Sequence, residues 1–423
     1  MLNRTKQPEI KTMGTFKLPE YTIEHLDNGV PVILFNAGEQ DVTKVDVIFK
    51  AGSWQQDLPL TAPSAASLLN SGTKNLSSRE IANKSDFFGA HLVSSATRDH
   101  ASATILTLNK YTDEMTALLE EVIKNAAFPE DEIETYLRNQ KHRLMVNEQK
   151  VDYLARTRFN QHIFGEHHPY GKYLRKAYFN NVTRESLSDF HRKHYHGGNA
   201  YLMASGKLPE NIIQTLNRHF GQADWLMSPP PEKTFTVQSA APGMYRVEKK
   251  DAVQSAIRIG KTFINRNHPD FKAMKVVNTL FGGYFGSRLM KNIREDKGYT
   301  YGIYSSVSSL LHEGIFSISA ETGTEVTEKA VQEIFVELEK LQNEKVSAAE
   351  LDTVKNYLLG NVLKMVDGAF AASDFFRSLY DAGLDQQYFY ELIETIKTID
   401  PDTIMNLSQK YLKKEDFIQV IAG

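Results

Sequence analysis

The chain has 423 residues, 41% hydrophobic and 24% charged, and its 49 basic and 52 acidic residues leave a formal net charge of -3. At about 100 to 200 residues per domain that length implies two or more domains, and the near-neutral balance supplies no field to recruit nucleic acid or an anionic membrane. The absence of cysteine excludes disulfides, thiolate zinc sites and cysteine nucleophiles. Residues 1–16 are polar, without the run of about seven apolar residues that a secretory signal needs. A cytoplasmic address is therefore the expectation, and a periplasmic or exported one if the N-terminus has been trimmed.

In chain order, residues 21–29 and 30–36 read as two strands turned at Asp27-Asn28-Gly29, and 45–50 as a third. Thr61 is the expected cap of a helix with Pro63 in its first turn and a stop at Gly72. Ser77-Ser78-Arg79-Glu80 is a capping box that opens a helix ending at Gly89. Strands over 90–96 and 101–108 follow, then helices over 111–126, 130–150, 152–164 and 183–194, a strand over 199–205 and a helix over 209–220. Strands and helices in this order predict an α+β fold with largely antiparallel sheets. Three consecutive prolines, Pro229 to Pro231, and a further Ala-Pro-Gly place a linker over 225–243, between a first domain at 1–224 and a second at 244–423.

The second half restarts the programme with a strand at 255–261 and a helix at 269–280. The stretch from Phe281 to Tyr304 follows, then a strand at 314–321 and long helices at 327–343 and 348–365. The order implies two duplicated domains, although the halves share no obvious residue identity. In the central stretch, glycines 282, 283 and 286 loosen the backbone, Ser287 is the expected cap of a short helix, Gly298 closes it, and Tyr299 to Tyr304 alternate as a strand. Arg294 near the helix end and Tyr301 on the strand can present a guanidinium fork and a phenol to one oxygen-rich ligand. No Gly-Lys-Ser/Thr follows the glycines, which argues against a phosphate loop.

Thirteen histidines prompt a metal search, which fails. His162 and His167 are five apart, about 140° round a helix rather than on one face, so the segment around His168 reads as a solvated loop entrance. His191, His194 and His196 lack a carboxylate partner and read as surface residues. No serine nucleophile elbow and no dinucleotide fingerprint is present. The chain thus offers no complete catalytic set of its own.

Five pieces of the chain resemble the insulinase-like, or pitrilysin, family of zinc peptidases, whose smaller members include the mitochondrial processing peptidase subunits. They are Leu26-Asp27-Asn28-Gly29-Val30 with Ala51-Gly52-Ser53, the helix ending Ser71-Gly72-Thr73, His168-Pro169-Tyr170-Gly171, residues 190–206, and the Phe281 to Tyr304 stretch. The last matches the family pattern through Gly282, Gly283, Ser287, Arg288, Leu289, Ile293, Arg294, Glu295, Gly298 and Tyr301. Family enzymes bind zinc through His-x-x-Glu-His on the first helix and a distant Glu. Counting back from Gly72-Thr73 puts Pro63, Ala66 and Ser67 at those first three places, and the distant carboxylate falls around Lys141, His142 and Arg143. This chain accordingly has no metal and no catalytic residue of the family's kind.

The resemblance also implies a role for Arg294 and Tyr301, whose spacing is that of the pair which, in the family's paired enzymes, holds substrate backbone and steadies the oxyanion. The expectation is a non-catalytic, substrate-holding subunit of a heterodimeric zinc metallopeptidase. It has no cofactor of its own; zinc is expected in a homologous partner subunit, and the substrate is a peptide. It is not expected to bind nucleic acid or membrane, and it homodimerises when isolated. The alternative is a peptide-binding or structural subunit like the core proteins of respiratory complexes, with no peptidase role.

Overall fold

The computed structural model describes residues 17–423, so the polar lead-in expected over 1–16 lies outside the described residues. The first half contains β1 (Thr22–His25), β2 (Pro31–Asn36), β3 (Val42–Phe49), α1 (Thr61–Ser67), α2 (Ser78–Phe87), β4 (His91–Ala96) and β5 (Ala101–Leu108). It continues through α3 (Thr112–Lys124), α4 (Glu130–Asn147), α5 (Val151–Phe164), α6 (Arg184–His194), β6 (Ala200–Gly206) and α7 (Ile212–Phe220). Its strands form one sheet in the order β1-β2-β6-β3-β5-β4, with β2 and β6 parallel and the other neighbours antiparallel.

The second half contains β7 (Gly243–Val247), β8 (Gln254–Phe263), α8 (Phe271–Asn278), β9 (Thr300–Ser309) and β10 (Gly314–Gly323). Then come α9 (Thr327–Asn343), α10 (Ala348–Lys364), α11 (Gly368–Tyr380), α12 (Gln387–Thr398), α13 (Pro401–Tyr411) and β11 (Ile418–Ala422). The sheet order is β7-β11-β8-β10-β9, with β7 and β11 parallel and the rest antiparallel. Without β1, the first sheet has this same order and these same directions, so the two α+β halves repeat one topology. The repeat reaches individual residues: Ser78, Arg79 and Gly89 recur at one constant offset as Ser287, Arg288 and Gly298. Gly89 (φ 60°) and Gly298 (φ 64°) both end a helix in the left-handed region just before an edge strand.

Alternation along β3 explains the layers. Val45, Val47 and Phe49 point into a core built with Ala62, Ala65, Ala66, Leu118 and Leu187, whereas Ile48 points to the other face with Ile33, Phe35 and Met203. That second face is covered by α11 from the opposite half, through Phe376 and by Tyr380 stacking near Tyr201. The exchange is mutual. Helix α5 of the first half lies on the second sheet, with Ala155 against Ala256 and Ala422 and Phe159, Ile163 and Phe164 against Ile418 and Val420. In both halves the exchanged helix is the third long helix after the central hairpin.

Some local expectations change. Leu60 precedes α1 in a left-handed conformation (φ 77°), and the Thr61 hydroxyl is buried without a partner rather than capping the helix. The Ser77 capping box is present as expected, and Thr183 and Ser186 form a second one at the start of α6. Strands β7 and β11 and helices α11 to α13 add to the elements that the sequence predicts. The Pro-rich stretch is extended and pinned: Trp54 Nε1 donates to Lys233 O (2.9 Å), and the Gln238 and Ala240 amides donate to Phe164 O and His162 O. No helix among the described residues is long and apolar enough to cross a membrane.

The histidines need correction. His194 and His196, expected at the surface, are only 1% and 3% exposed, and His168, expected in a solvated loop, is also buried. His168 lies flat against Phe164 at 5.3 Å and its Nδ1 accepts from the Tyr170 amide, so it is a core residue, while the adjacent Glu166 and His167 face solvent. Desolvation lowers His168 and His194 to about 4, and both remain neutral at pH 7.

Two predictions follow from the packing. Phe376→Ala removes the side chain that seals the first sheet's outer face and is expected to cost about 3–5 kcal/mol in chemical denaturation, while unfolding of the wild type occurs in one transition because each sheet is closed by the other half. The buried histidines have folded-state pKa values below the unfolded value of about 6.5, so the unfolded chain binds more protons and stability falls as pH drops from about 6.5 towards 4. His194→Met should flatten that dependence, as read from melting temperature against pH; an unchanged slope would remove His194 from the explanation.

Candidate peptide-holding site

The site is built on the stretch that joins α8 to β9. Helix α8 runs directly into a π-helical turn, Thr279–Gly283, and a second π-helical segment spans Met290–Asp296. Wide turns of this kind insert a residue and re-aim those that follow; they recur at functional positions. Gly282 is required here, because a Cβ would lie 2.6 Å from Ser305 Oγ and 2.7 Å from Ser305 N. The close approach is locked by reciprocal bonds: Asn278 Nδ2 donates to Ser305 O (3.2 Å) and Ser305 Oγ donates to Asn278 O (3.3 Å).

The helix carrying Arg294 is held along its length. Arg288 grips Glu350 of α10 with Nε and Nη2 at 2.8 and 2.9 Å, a bidentate pair, and Asn292 Nδ2 donates to Glu333 and Glu337 of α9. Leu289, Met290 and Ile293 are fully buried in the core. Ser287 does not cap it as expected: its hydroxyl is buried without a partner, while its carbonyl accepts from the Lys291 amide. Against this background Arg294 stands out. Among the described residues it has no carboxylate partner, and its guanidinium lies over the Phe285 ring, 4.5 Å from the centroid. Phe285 is itself 58% exposed, so the stacked pair faces solvent.

Tyr301 lies beyond the Gly298 turn on β9, an edge strand of the second sheet. The register with β10 shifts here, Ile303 facing Ala320 and Thr300 facing Thr322, so Tyr301 and Gly302 together oppose Glu321. This is a β-bulge, a device that re-aims a side chain. Thr300 fastens it: its hydroxyl donates to Glu321 O (2.6 Å) and accepts from the Gly302 amide (3.1 Å). The result is a tyrosine 94% exposed, with no hydrogen bond among the described residues, at the lip of a cleft of about 310 Å³ that also contains Arg258, Asp152 and Glu321. Arg258 and Asp152 are ion-paired across that cleft, and Asp152 comes from α5, the exchanged helix. Arg294 and Tyr301 therefore sit on one anchored helix-turn-strand unit, and among the described residues no hydrogen bond joins them and neither polar end has a hydrogen-bond or ion-pair partner. Sequence reasoning found the two residues but missed Phe285 beneath the guanidinium and the bulge; Gly302 inside a strand pattern was the available signal for the latter.

The opposite half has nothing comparable. Pro63, Ala66 and Ser67 lie on α1, where Ala66 is fully buried in the first core and Ser67 is exposed, and none offers an imidazole or carboxylate. Lys141, His142 and Arg143 lie exposed on α4, with the Lys141 ammonium over the Phe179 ring. Among the described residues no group of His, Asp or Glu side chains is placed to hold a metal ion. The family's zinc thus does not fit the residues present here, and no chemistry of this chain runs through it.

Residues 32–170 match the family described as insulinase (peptidase family M16), and residues 181–358 match the peptidase M16 inactive domain. An uncharacterized zinc protease of Rickettsia felis is 25% identical over 398 residues, covering 92% of this chain and 94% of that protein. A protein of Helicobacter pylori named "Non-peptidase homolog YmxG" is 27% identical over 305 residues, 70% of this chain and 68% of its own length. The crystal structure of a peptidase M16 inactive domain from Pseudomonas fluorescens superposes with a TM-score of 0.85 at 22% identity, covering 95% of this chain and 98% of that one. With both halves matched in order, the chain belongs to the insulinase family of M16 peptidases.

Proposed function

We propose that this chain is the non-catalytic, substrate-holding subunit of a heterodimeric zinc metallopeptidase that cleaves peptides. Arg294 and Tyr301 hold the substrate backbone, and a homologous partner subunit brings the zinc and the general base. The observation that carries this reading is the contrast within one chain: in one half a half-buried arginine without a carboxylate partner among the described residues and an exposed tyrosine, both on an anchored unit, and proline, alanine and serine at the ligand positions of the other. A peptide carbonyl that becomes an alkoxide is stabilised by donors set in place beforehand. A planar guanidinium supplies two parallel N–H donors and a phenol supplies one more, without adding a second nucleophile. The π-helical segment and the bulge, both held by bonds elsewhere, support a positioning role, because each fixes the direction of one of these side chains.

The test is peptide hydrolysis by this chain alone, by a family member from the same organism that carries an intact His-x-x-Glu-His, and by their mixture. Turnover is expected only in the mixture; zinc-dependent turnover by this chain alone would sink the proposal, and inactivity of every mixture would favour the structural-subunit alternative. Within the mixture, Arg294→Ala is expected to lower kcat about 100-fold and Tyr301→Phe about 10-fold, on the scale of losing one pre-placed donor. Complex formation, followed by size-exclusion chromatography, should be unaffected. An unchanged rate in both variants removes the assigned role from the pair.

A further inference from the structure

A second cleft, of about 620 Å³, lies in the first half between the end of α3, the outer side of α6 and the segment around Trp225. It shares no lining residue with the cleft beside Tyr301. Its volume lies within the range of small-molecule sites. Its charge is opposite to that of the chain, whose formal net charge is -3. Four cationic side chains, Lys74, Lys124, Arg184 and Arg192, line it against one carboxylate, Asp224. Two of the four are already neutralised: Lys124 Nζ pairs with Glu120 at 2.9 Å and Arg192 with Asp189 at 2.5 Å. Lys74 and Arg184 are not. Among the described residues neither has a carboxylate at ion-pair distance, and Arg184 uses only Nε, donating to Ala127 O at 3.2 Å, which leaves its terminal nitrogens unused.

The inner wall is polar as well. Tyr195 Oη, Trp225 Nε1 and His196 Nδ1 are shielded from solvent and have no hydrogen-bond partner among the described residues; all three residues line the cleft and are more than nine-tenths buried. Because these three atoms are themselves sealed from solvent, they stand behind the cleft surface, and contact with a ligand falls to the exposed cations Lys74 and Arg184. His191 stacks on the Tyr195 ring at 5.1 Å, and its Nε2 is bonded to Ile123 O at 2.7 Å. Burial lowers both His191 and His196, so these rings contribute hydrogen bonds at neutral pH and the positive excess comes from Lys74 and Arg184.

We infer that this cleft binds a small organic oxyanion carrying two or more negative charges, held between the Lys74 ammonium and the free guanidinium nitrogens of Arg184. The concave shape selects a small ligand over a membrane surface. The aromatic side chains in its wall are buried rather than offered as exposed stacking platforms, which disfavours single-stranded nucleic acid. Phosphoryl and carboxylate groups share the required chemistry. A second charged oxygen is needed because the two cations reach the cleft from different segments, Lys74 from the loop after α1 and Arg184 from the first residue of α6.

The test is isothermal titration of the full chain with inorganic pyrophosphate at fixed ionic strength, with citrate and chloride as parallel arms. Saturable one-site binding of pyrophosphate or citrate, weakened at least tenfold in the double variant Lys74→Gln/Arg184→Gln and unchanged in Lys329→Gln on α9, supports the site. The tighter of the two probes tells whether the natural group is phosphoryl or carboxylate. Both substituted cations are exposed, so the double variant should keep the wild-type circular dichroism and melting temperature, which separates lost binding from lost fold. Equal affinity in the double variant, or a response matched by chloride at the same ionic strength, overturns the inference.

Discussion

Each sheet of this protein has two faces to bury, and its own half supplies cover for only one. The first sheet is closed by Phe376 and Tyr380 from α11, and the second by Ala155, Phe159, Ile163 and Phe164 from α5. An antiparallel sheet can leave one face to water, but here the apolar residues Ile33, Phe35, Ile48 and Met203 on one outer face exclude that arrangement. Burial of these residues fixes how the halves sit on one another. It also sets one wall of the cleft beside Tyr301, because the Asp152 that pairs with Arg258 rides on the exchanged helix α5.

The candidate site depends on anchoring that is spread widely and on freedom that is confined. Glu350, Glu333 and Glu337 fix the helix through Arg288 and Asn292, Ser305 fixes the preceding turn through Asn278, and Thr300 fixes the bulge. With those positions occupied, the Arg294 guanidinium lies over the Phe285 ring without a carboxylate partner among the described residues, and Tyr301 is almost fully exposed. Anchored main chain with unclaimed side-chain donors is the arrangement that electrostatic stabilisation of a developing charge requires. In the other half, the ligand positions on α1 are filled by residues that pack or face water.

Much of this was legible in the sequence, for physical reasons that differ by element. The Ser77 capping box, the helix from Thr327 to Asn343 and the Gly298 stop follow from local bonding and backbone freedom, which short windows encode. Arg294 and Tyr301 were legible because their spacing across a helix-glycine-strand junction is itself local. What was not legible is set by distant partners. His194 and His196 look like surface residues in a polar window and are buried by the packing of α6 under the first sheet's core. The exchange of α5 and α11 cannot be read from either helix, since the face each covers belongs to strands more than a hundred residues away. The Ser287 hydroxyl, a good cap by local sequence, is instead buried in the folded chain with no partner among the described residues.

The mutual covering of sheets by α5 and α11 has one more consequence. Because the two halves repeat one strand order and exchange equivalent helices, the contact between them is isologous in form: each half gives its third helix to the other's sheet and receives one in return. That is the geometry by which two identical chains associate. A single repeat folded alone would expose a wide apolar sheet face, and another copy of itself would be the natural cover. The Pro-rich stretch joins two such repeats in one chain, one carrying Arg294 and Tyr301 and the other carrying Pro63, Ala66 and Ser67 on α1.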